Sequence, residues 1–302
     1  MTLLMYKALN RIVGRTGVPQ PEAAEATPPT AHSTSVSGHF YPYFETVPIR
    51  VVSKVEEPPE ISSEDGLPIP PRELHAGYGF NTAEYLVCGR SHHQAMMEII
   101  RESGFVLEDE GRILDFGCAA GRMIRCFKDR AELHEVWGVD IRAEHIFWCQ
   151  RYLSPPFRFA TTTTHPHLPF EDNSFSMIYA CSVFTHIGDL EDAWLLELRR
   201  VLQPNGRLFA TVHDNHTIDL LMSCSPGHWP HDTPLHRQVM DLESGYGITQ
   251  PGFNMASVTI EPGNHQVFHD REFLRHRWGR FFKIHAFHPE GHNYQTAVVM
   301  SK

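Results

Sequence analysis

From Arg112 onward, apolar residues fall into two alternating kinds of run. Arg112-Ile-Leu-Asp-Phe116, Glu135-Val-Trp-Gly-Val139, Phe175 to Cys181 and Arg207 to Val212 are short continuous apolar stretches of strand length. Between them, Met123 to Asp129, Arg142 to Leu153 and Leu190 to Leu202 place apolar residues at helical spacing. Strands without in-and-out alternation need both faces covered, and right-handed crossovers put the intervening helices on the faces of a parallel sheet. The pattern predicts a doubly wound α/β domain. Upstream, Asn81 with Glu84 makes a capping-box-like helix start, and a second helix is expected from about Ser91 to Ser103, stopped by Gly104. Downstream, Asp214 to Asn264 loses periodicity and fills with His, Gly, Pro and Met, which reads as an inserted cap or loop region. The rhythm resumes with a helix from about Asp270 to Trp278, a strand Phe281 to Phe287 and a final strand Gln295 to Met300.

The N-terminal part is organised differently. Met1 to Arg15 sets Leu3, Leu4, Tyr6, Leu9, Ile12 and Val13 among Lys7, Arg11 and Arg15 at helical spacing, which predicts an amphipathic helix over residues 1–16. It either packs on its own domain or touches a membrane surface, and so few cations make such contact weak. Val18 to Ser37 is rich in Pro, Ala, Thr, Ser and Glu and reads as a linker. A second Pro-rich approach, Glu57 to Pro71, is expected to run extended along the domain surface. The expected organisation is a Pro-rich extension over 17–66 and a domain over 67–302, with 214–268 as an inserted substrate cap.

Composition narrows the class. With 26 Lys and Arg against 36 Asp and Glu, the net charge of −10 opposes attraction to phosphate backbones and anionic surfaces, so no nucleic-acid partner is expected. The six cysteines are widely scattered with no CxxC, as in a protein kept reduced. No apolar run approaches the roughly 18 to 20 residues that span a bilayer, and no signal peptide is visible, so a cytoplasmic setting is expected.

In an open α/β sheet, ligands bind beyond the carboxyl ends of the strands, where strand order reverses. The first strand-to-helix turn is Asp115-Phe-Gly-Cys-Ala-Ala-Gly121-Arg122. The missing Cβ atoms of Gly117 and Gly121 are expected to let a ligand lie against bare backbone N–H groups. A dinucleotide fingerprint needs GxGxxG, and Ala119 stands in place of its second glycine, which disfavours NAD or FAD. At the end of the second strand comes Gly138-Val-Asp140-Ile141, where a carboxylate can accept both ribose hydroxyls and Ile141 offers an apolar face to a purine. The two turns together specify an adenosine-bearing ligand. For Asp140 alone, the alternative is a cap on the helix starting at Arg142.

Four segments then carry a resemblance: Ile113-Leu-Asp-Phe-Gly-Cys-Ala-Ala-Gly121, Gly138-Val-Asp140, Leu168-Pro-Phe-Glu-Asp-Asn-Ser-Phe175 and Leu198-Arg-Arg-Val-Leu-Gln-Pro-Asn-Gly-Arg-Leu208. In order and spacing they resemble the successive motifs of class I S-adenosylmethionine-dependent methyltransferases. Weaker similarity over Leu67 to Phe105 and His269 to Met300 resembles bacterial small-molecule methyltransferases of sugar and polysaccharide pathways. The resemblance implies a mostly parallel, seven-stranded, Rossmann-like sheet and S-adenosylmethionine as cofactor. It implies that the turn with Gly117, Cys118, Ala119 and Gly121 holds the methionine part, helped by Asp115, that Asp140 binds the ribose and that Ile141 lines the adenine pocket. The acidic residue that many relatives carry before the Leu-Pro-Phe triplet is here Thr164, followed by His165, so the adenine contact falls to one of these.

Methyl transfer from a sulfonium is an in-line displacement in which the cofactor supplies the leaving group and the protein supplies alignment. A base matters when the nucleophile is a hydroxyl, and imidazole suits that task. With 21 histidines, position has to decide. Ser182-Val-Phe-Thr-His186 follows the fourth strand beside the expected sulfonium, which makes Ser182 a cofactor contact and His186 the first acid/base candidate, with helix packing as its alternative. His213, with Asp214, closes the fifth strand on the same rim. His269 follows an aromatic residue, as relatives also place a histidine, and its alternative is packing at the start of the next helix. His165-Pro-His167, His213 with His216 and His92-His93 lack metal-ligand spacing, and no metal is expected. Met222, Trp229, Met240, Tyr246, Phe253 and Met255 of the insertion either line an acceptor pocket or pack the cap onto the sheet. Ala180-Cys-Ser-Val183 lacks the Asn/Asp-Pro-Pro-aromatic segment of DNA amino-methyltransferases. The expected activity is methyl transfer to a small molecule, with saccharide-related acceptors among the candidates, at a hydroxyl oxygen. N-methylation, a non-catalytic cofactor-binding protein and a nicotinamide oxidoreductase are the alternatives.

Overall fold

The computed structural model describes residues 63–79, 81–108, 110–227, 230–231, 233–261 and 264–302. The chain divides into units 1–40 and 41–302, and every described residue belongs to the second. The helix expected over 1–16, the linker over 18–37 and Trp229 lie outside the described residues.

The apolar runs form strands β1 (Ile113–Phe116), β2 (Val136–Asp140), β3 (Arg158–Thr161), β4 (Phe175–Ala180) and β5 (Leu202–Val212). These are parallel in the order 3-2-1-4-5, and strand order reverses between β1 and β4. An insert carries a separate two-stranded antiparallel hairpin, β6 (Met255–Glu261) and β7 (Asn264–His269). The sheet is completed to seven strands by β8 (Lys283–His292) and β9 (Gln295–Ser301), with β9 antiparallel between β5 and β8.

The helices are α1 (Thr82–Glu102), α2 (Lys128–Ala131), α3 (Ala143–Tyr152), α4 (Glu191–Val201), α5 (Asn215–Met222), α6 (Pro234–Tyr246) and α7 (Arg271–Trp278). All four residues of β1 are buried, because neighbouring side chains serve opposite layers. Ile113 joins Met96 and Ile100 of α1 and Trp148 of α3, whereas Leu114 joins Trp194 and Leu198 of α4 and Trp278 of α7. The doubly wound, seven-stranded sheet expected above is therefore present.

Several elements differ from the sequence expectation. The two helices read from Asn81 to Ser103 are one helix, α1, whose buried stripe Tyr85, Gly89, His92, Met96 and Ile100 keeps helical spacing throughout. Gly89 does not break it; it brings the helix close to the turn after β1, where a Cβ would stand 2.6 Å from the Arg122 carbonyl. The run Met123 to Asp129 is a 3-10 turn, Ile124–Phe127, leading into the short α2. Strand β3 was not read from the sequence because it lies at the sheet edge and fully buries only Phe159. The segment from Asp214 is not irregular: it folds into α5, α6 and the β6–β7 hairpin around Ile218, Leu221, Val239, Ile248 and Phe268. Strand β6 does carry the period-two signal, with Ala256, Val258 and Ile260 half-buried and Ser257 and Thr259 exposed, so alternation was the mark that could have found it.

Of the Pro-rich approach, residues 57–62 lie outside the described residues; from 63 it makes a turn closed by Gly66 N–H to the Ser63 carbonyl at 2.9 Å, and Leu67 and Ile69 are buried rather than laid on the surface. It is tied down by Arg125, which donates to both Asp65 carboxylate oxygens, at 2.7 and 2.9 Å, and to the Leu67 carbonyl at 3.0 Å. Burial pushes the Asp65 carboxyl up, but hydrogen bonds from Arg125, Ser63 and Leu67 outweigh it and hold the group down at about 2. This strap delivers His75 and Tyr78 to the switch point of the sheet.

Candidate functional site

The turn after β1 is held by its own amides. Gly117 and Cys118 N–H donate to the Val139 carbonyl at 2.8 and 3.0 Å, and Ala119 N–H donates to Asp140 Oδ2 at 2.8 Å. Arg142 N–H donates to Asp140 Oδ1 at 2.8 Å. The amides expected to face a ligand are thus already used, which corrects that expectation. The glycines also serve packing: a Cβ on Gly117 would stand 2.4 Å from Val183 Cγ2, and one on Gly121 2.6 Å from Leu153 Cδ1, at φ values of 87° and 84°. Asp140 holds the turn and the start of α3, and each carboxylate oxygen keeps a lone pair for a ligand hydroxyl.

A cavity of about 40 Å³ lies over this turn, lined by His75, Tyr78, Asp115, Cys118, Arg122, Cys181 and their neighbours. Asp115 is buried and accepts a hydrogen bond from the Tyr179 hydroxyl at 2.8 Å. Burial pushes its carboxyl up to about 8, with Tyr179 opposing the rise. Arg122 is also buried; its guanidinium lies 3.8 Å from the Tyr78 ring centre, and Nη1 donates to His92 Nδ1 at 2.8 Å. Arg122 makes no ion pair among the described residues. The cavity therefore holds one acid and one cation that do not neutralise each other by contact. The sequence assigns no role to Arg122 or Tyr78 and weighs His92 only as a metal ligand, although Arg122 directly follows the glycine turn.

Ser182, at φ 56°, joins the strap to the sheet. Its hydroxyl is hydrogen-bonded to that of Tyr78 at 2.8 Å and accepts from Gln295 Nε2 at 2.9 Å, while its N–H donates to Thr211 Oγ1 at 2.7 Å. Ile141 is 42% exposed, Thr164 half-buried and His165 exposed, and none of the three is among the lining residues of this cavity.

The three candidate histidines part ways. His213 is fully buried between the rings of Phe268 and Tyr294, at centroid distances of 5.2 and 5.6 Å. Its Nε2–H donates to Gln266 Oε1 at 2.9 Å, and Nδ1 has no partner among the described residues. Burial pushes its pKa down to about 3, so the ring is neutral near pH 7. Asp214 does not orient it; that carboxylate accepts from Arg271 and Thr296, both at 2.7 Å, and caps α5. His186 Nδ1 donates to the His265 carbonyl at 2.5 Å and lies 3.4 Å from Gln266 Nε2, so the Gln266 amide stands between His186 and His213. His269 adjoins His213 by backbone, its N–H donating to the His213 carbonyl at 2.9 Å, but its buried side chain turns to other partners: Nε2 lies 2.8 Å from Glu191 Oε1 in a contact that is not an aligned hydrogen bond, with Trp278 beside it. Arg277 completes that cluster at 3.4 Å from Glu191 and 2.7 Å from Asp192.

A larger cavity, about 250 Å³, opens on the far side of Gln266 and Tyr294, against α6 and the hairpin. Among the described residues, no group of three or more His, Cys, Asp or Glu is arranged to hold a metal ion. No described helix is long and apolar enough to cross a membrane.

Comparison with known proteins adds three findings. Residues 114–210 match the family model described as a methyltransferase domain. An uncharacterized methyltransferase of Schizosaccharomyces pombe is 30% identical over 140 residues, which is 42% of this chain and 47% of that protein. The chain thus spans about half the length of this curated relative. The crystal structure of the PH0226 protein from Pyrococcus horikoshii superposes with a TM-score of 0.51 at 20% identity, covering 77% of this chain and 99% of that one, which supports the same fold.

Proposed function

We propose that the protein is an S-adenosylmethionine-dependent methyltransferase that methylates a small molecule at a hydroxyl oxygen. The observation that carries the cofactor assignment is the pair Asp115 and Arg122, both buried, both lining the cavity over the glycine turn and not ion-paired with each other. An amino-acid zwitterion answers both: its ammonium suits Asp115 and its carboxylate suits Arg122. A nicotinamide dinucleotide brings a pyrophosphate instead, which needs the amides that this turn spends internally.

The residues present fit the group. Asp115 and Arg122 would hold the methionine end, Asp140 the ribose through its remaining lone pairs, and Ile141 would lie against the adenine, with Thr164 or His165 at its amine. The cavity of about 40 Å³ is the place for the amino-acid end alone, since Asp140, Ile141, Thr164 and His165 lie outside its lining. When bound, the sulfonium supplies an activated methyl and a neutral thioether leaving group.

What remains for the chain is alignment, exclusion of water and removal of the hydroxyl proton. For the last the chain offers His213, whose Nε2–H is held by Gln266 and whose Nδ1 keeps a lone pair; burial lowers its pKa to about 3, so it would take the proton only in concert with methyl transfer. His186, its Nδ1–H held by the His265 carbonyl, keeps a lone pair on Nε2 and is the second candidate. His269 is left out of the reaction because Glu191 and Trp278 enclose it. A saccharide-related acceptor is compatible with the hydroxyl and amide groups of Thr233, Asn264, Gln266 and Tyr294 in the larger cavity. The free state of all six cysteines supports a reducing, cytoplasm-like setting.

Calorimetric titration of the full chain with S-adenosylhomocysteine and with NAD tests the cofactor assignment. We expect the first to bind and the second not to; the reverse result removes it. Labelled cofactor with an acceptor panel then tests transfer, and a product methylated at nitrogen would overturn the hydroxyl assignment.

A further inference from the structure

The larger cavity lies apart from the glycine turn, between α6 and the β6–β7 hairpin, with Pro234, Leu235, Ile260, Asn264, Gln266 and Tyr294 among its walls. Resting on the methyltransferase reading above, we infer that this cavity holds the methyl acceptor and selects an uncharged molecule with an apolar face over a charged one of the same size.

Position is the first argument. Tyr294 directly precedes Gln295, whose amide donates to Ser182 Oγ at 2.9 Å, and Ser182 is bonded at 2.8 Å to Tyr78, which lines the cavity over the glycine turn. The two cavities are therefore linked through Tyr294–Gln295, Ser182 and Tyr78 beside the carboxyl end of β4, where a doubly wound sheet brings ligands together.

Wall chemistry is the second. Among the described lining residues there is no acid and no base; Pro, Leu, Ile and Tyr side chains dominate, with hydroxyl and amide groups for polar contact. A charged acceptor would give up its hydration there without meeting a counter-charge, whereas a neutral hydroxyl can be satisfied by an amide. Gln266 is the group that links recognition to chemistry. It lines the cavity, its Oε1 accepts from His213 Nε2 at 2.9 Å, and its Nε2 donates to Asn264 Oδ1 at 2.7 Å. An acceptor seated against Gln266 is thus one side chain removed from His213, whose Nε2–H that amide holds.

Ligand-observed NMR on the full chain saturated with S-adenosylhomocysteine tests this with three probes of one size: benzyl alcohol, benzoate and benzylammonium. We expect benzyl alcohol to bind, and each ion to bind about tenfold or more weakly. Leu235→Trp and Ile260→Trp fill the cavity from different elements and should each abolish benzyl alcohol binding, with S-adenosylhomocysteine affinity unchanged by calorimetry on the same samples. Equal or tighter binding of either ion, no binding of benzyl alcohol, or binding that survives both filled variants overturns the inference while leaving the cofactor assignment standing. Failure of the unsubstituted protein to bind S-adenosylhomocysteine removes the cofactor assignment and this inference together.

Discussion

Arg122 donates from Nη1 to His92 Nδ1 at 2.8 Å, a bond that only a neutral imidazole can accept. Burial first, and then the Arg122 charge, push the His92 pKa down to about 3. His92 Nε2–H is fixed in turn by Asn293 Oδ1 at 2.8 Å, so one tautomer connects the cofactor cavity to the turn between β8 and β9.

Acid sensitivity follows. Burial also lowers His93 to about 4 and His213 to about 3. For these bases the unfolded chain, with a pKa of about 6.5, binds more protons than the folded one in the interval down to about 3. Their contribution is complete above pH 6.5 and lost as pH falls through that window. Asp115 has the opposite sign: its folded value of about 8 lies above the unfolded one, so its contribution declines as pH rises toward 8. Thermal unfolding should show Tm falling steeply below about pH 6, and Asp115→Asn should flatten the decline on the alkaline side.

Cofactor binding should release a proton. At pH 7 the Asp115 carboxyl, raised to about 8, is mostly protonated, and an ammonium ligand favours its ionised form. Calorimetry of S-adenosylhomocysteine in buffers of different ionisation enthalpy should give about one proton released per site, with affinity rising toward pH 8. Asp115→Asn should abolish the release and weaken binding; an unchanged proton count in that variant would assign the proton to another group.

Arg122→Met removes the proposed carboxylate partner while keeping side-chain bulk. The loss for S-adenosylhomocysteine should be about 2 kcal/mol, typical of a charge-assisted pair. Methylthioadenosine, which lacks the amino-acid end, should bind the variant as it binds the unsubstituted protein. Equal losses for both ligands would mean that Arg122 acts only through packing.

Asp140→Ala should be doubly costly. It removes the ribose acceptor, worth about 2 kcal/mol of affinity, and it strands the amides of Ala119 and Arg142, which the carboxylate now holds at 2.8 Å each. Chemical denaturation should show a stability loss of about 1–3 kcal/mol. Calorimetry on the folded fraction separates the two effects.

His213→Gln should lower turnover by roughly 10²- to 10⁴-fold once an acceptor is identified. His269→Gln should instead reduce Tm and leave the turnover of folded protein near that of the parent, because its partner is Glu191. A turnover loss confined to His269→Gln would reverse the two assignments.

Much of the architecture follows from local pattern alone. The central strands are apolar because both of their faces are covered, and the amphipathic helices between them leave a parallel sheet as the solution; Asp140 and the glycine turn then fall at the switch point by chain order. What is carried by contacts between distant segments stayed invisible. Edge strand β3 is too sparsely buried to mark itself, and Gly89 of α1 is required only because the Arg122 backbone, 33 residues later, packs against it. The chemistry of the site was decided in the same way. Whether a histidine is a base or a packing group depends on what surrounds it: Gln266 and two aromatic rings for His213, Glu191 and Trp278 for His269. The cavity that unites Asp115 with Arg122, and the larger one beyond Gln266, exist only once strap, sheet and insert are folded together, since burial and counter-charge are properties of neighbours in space.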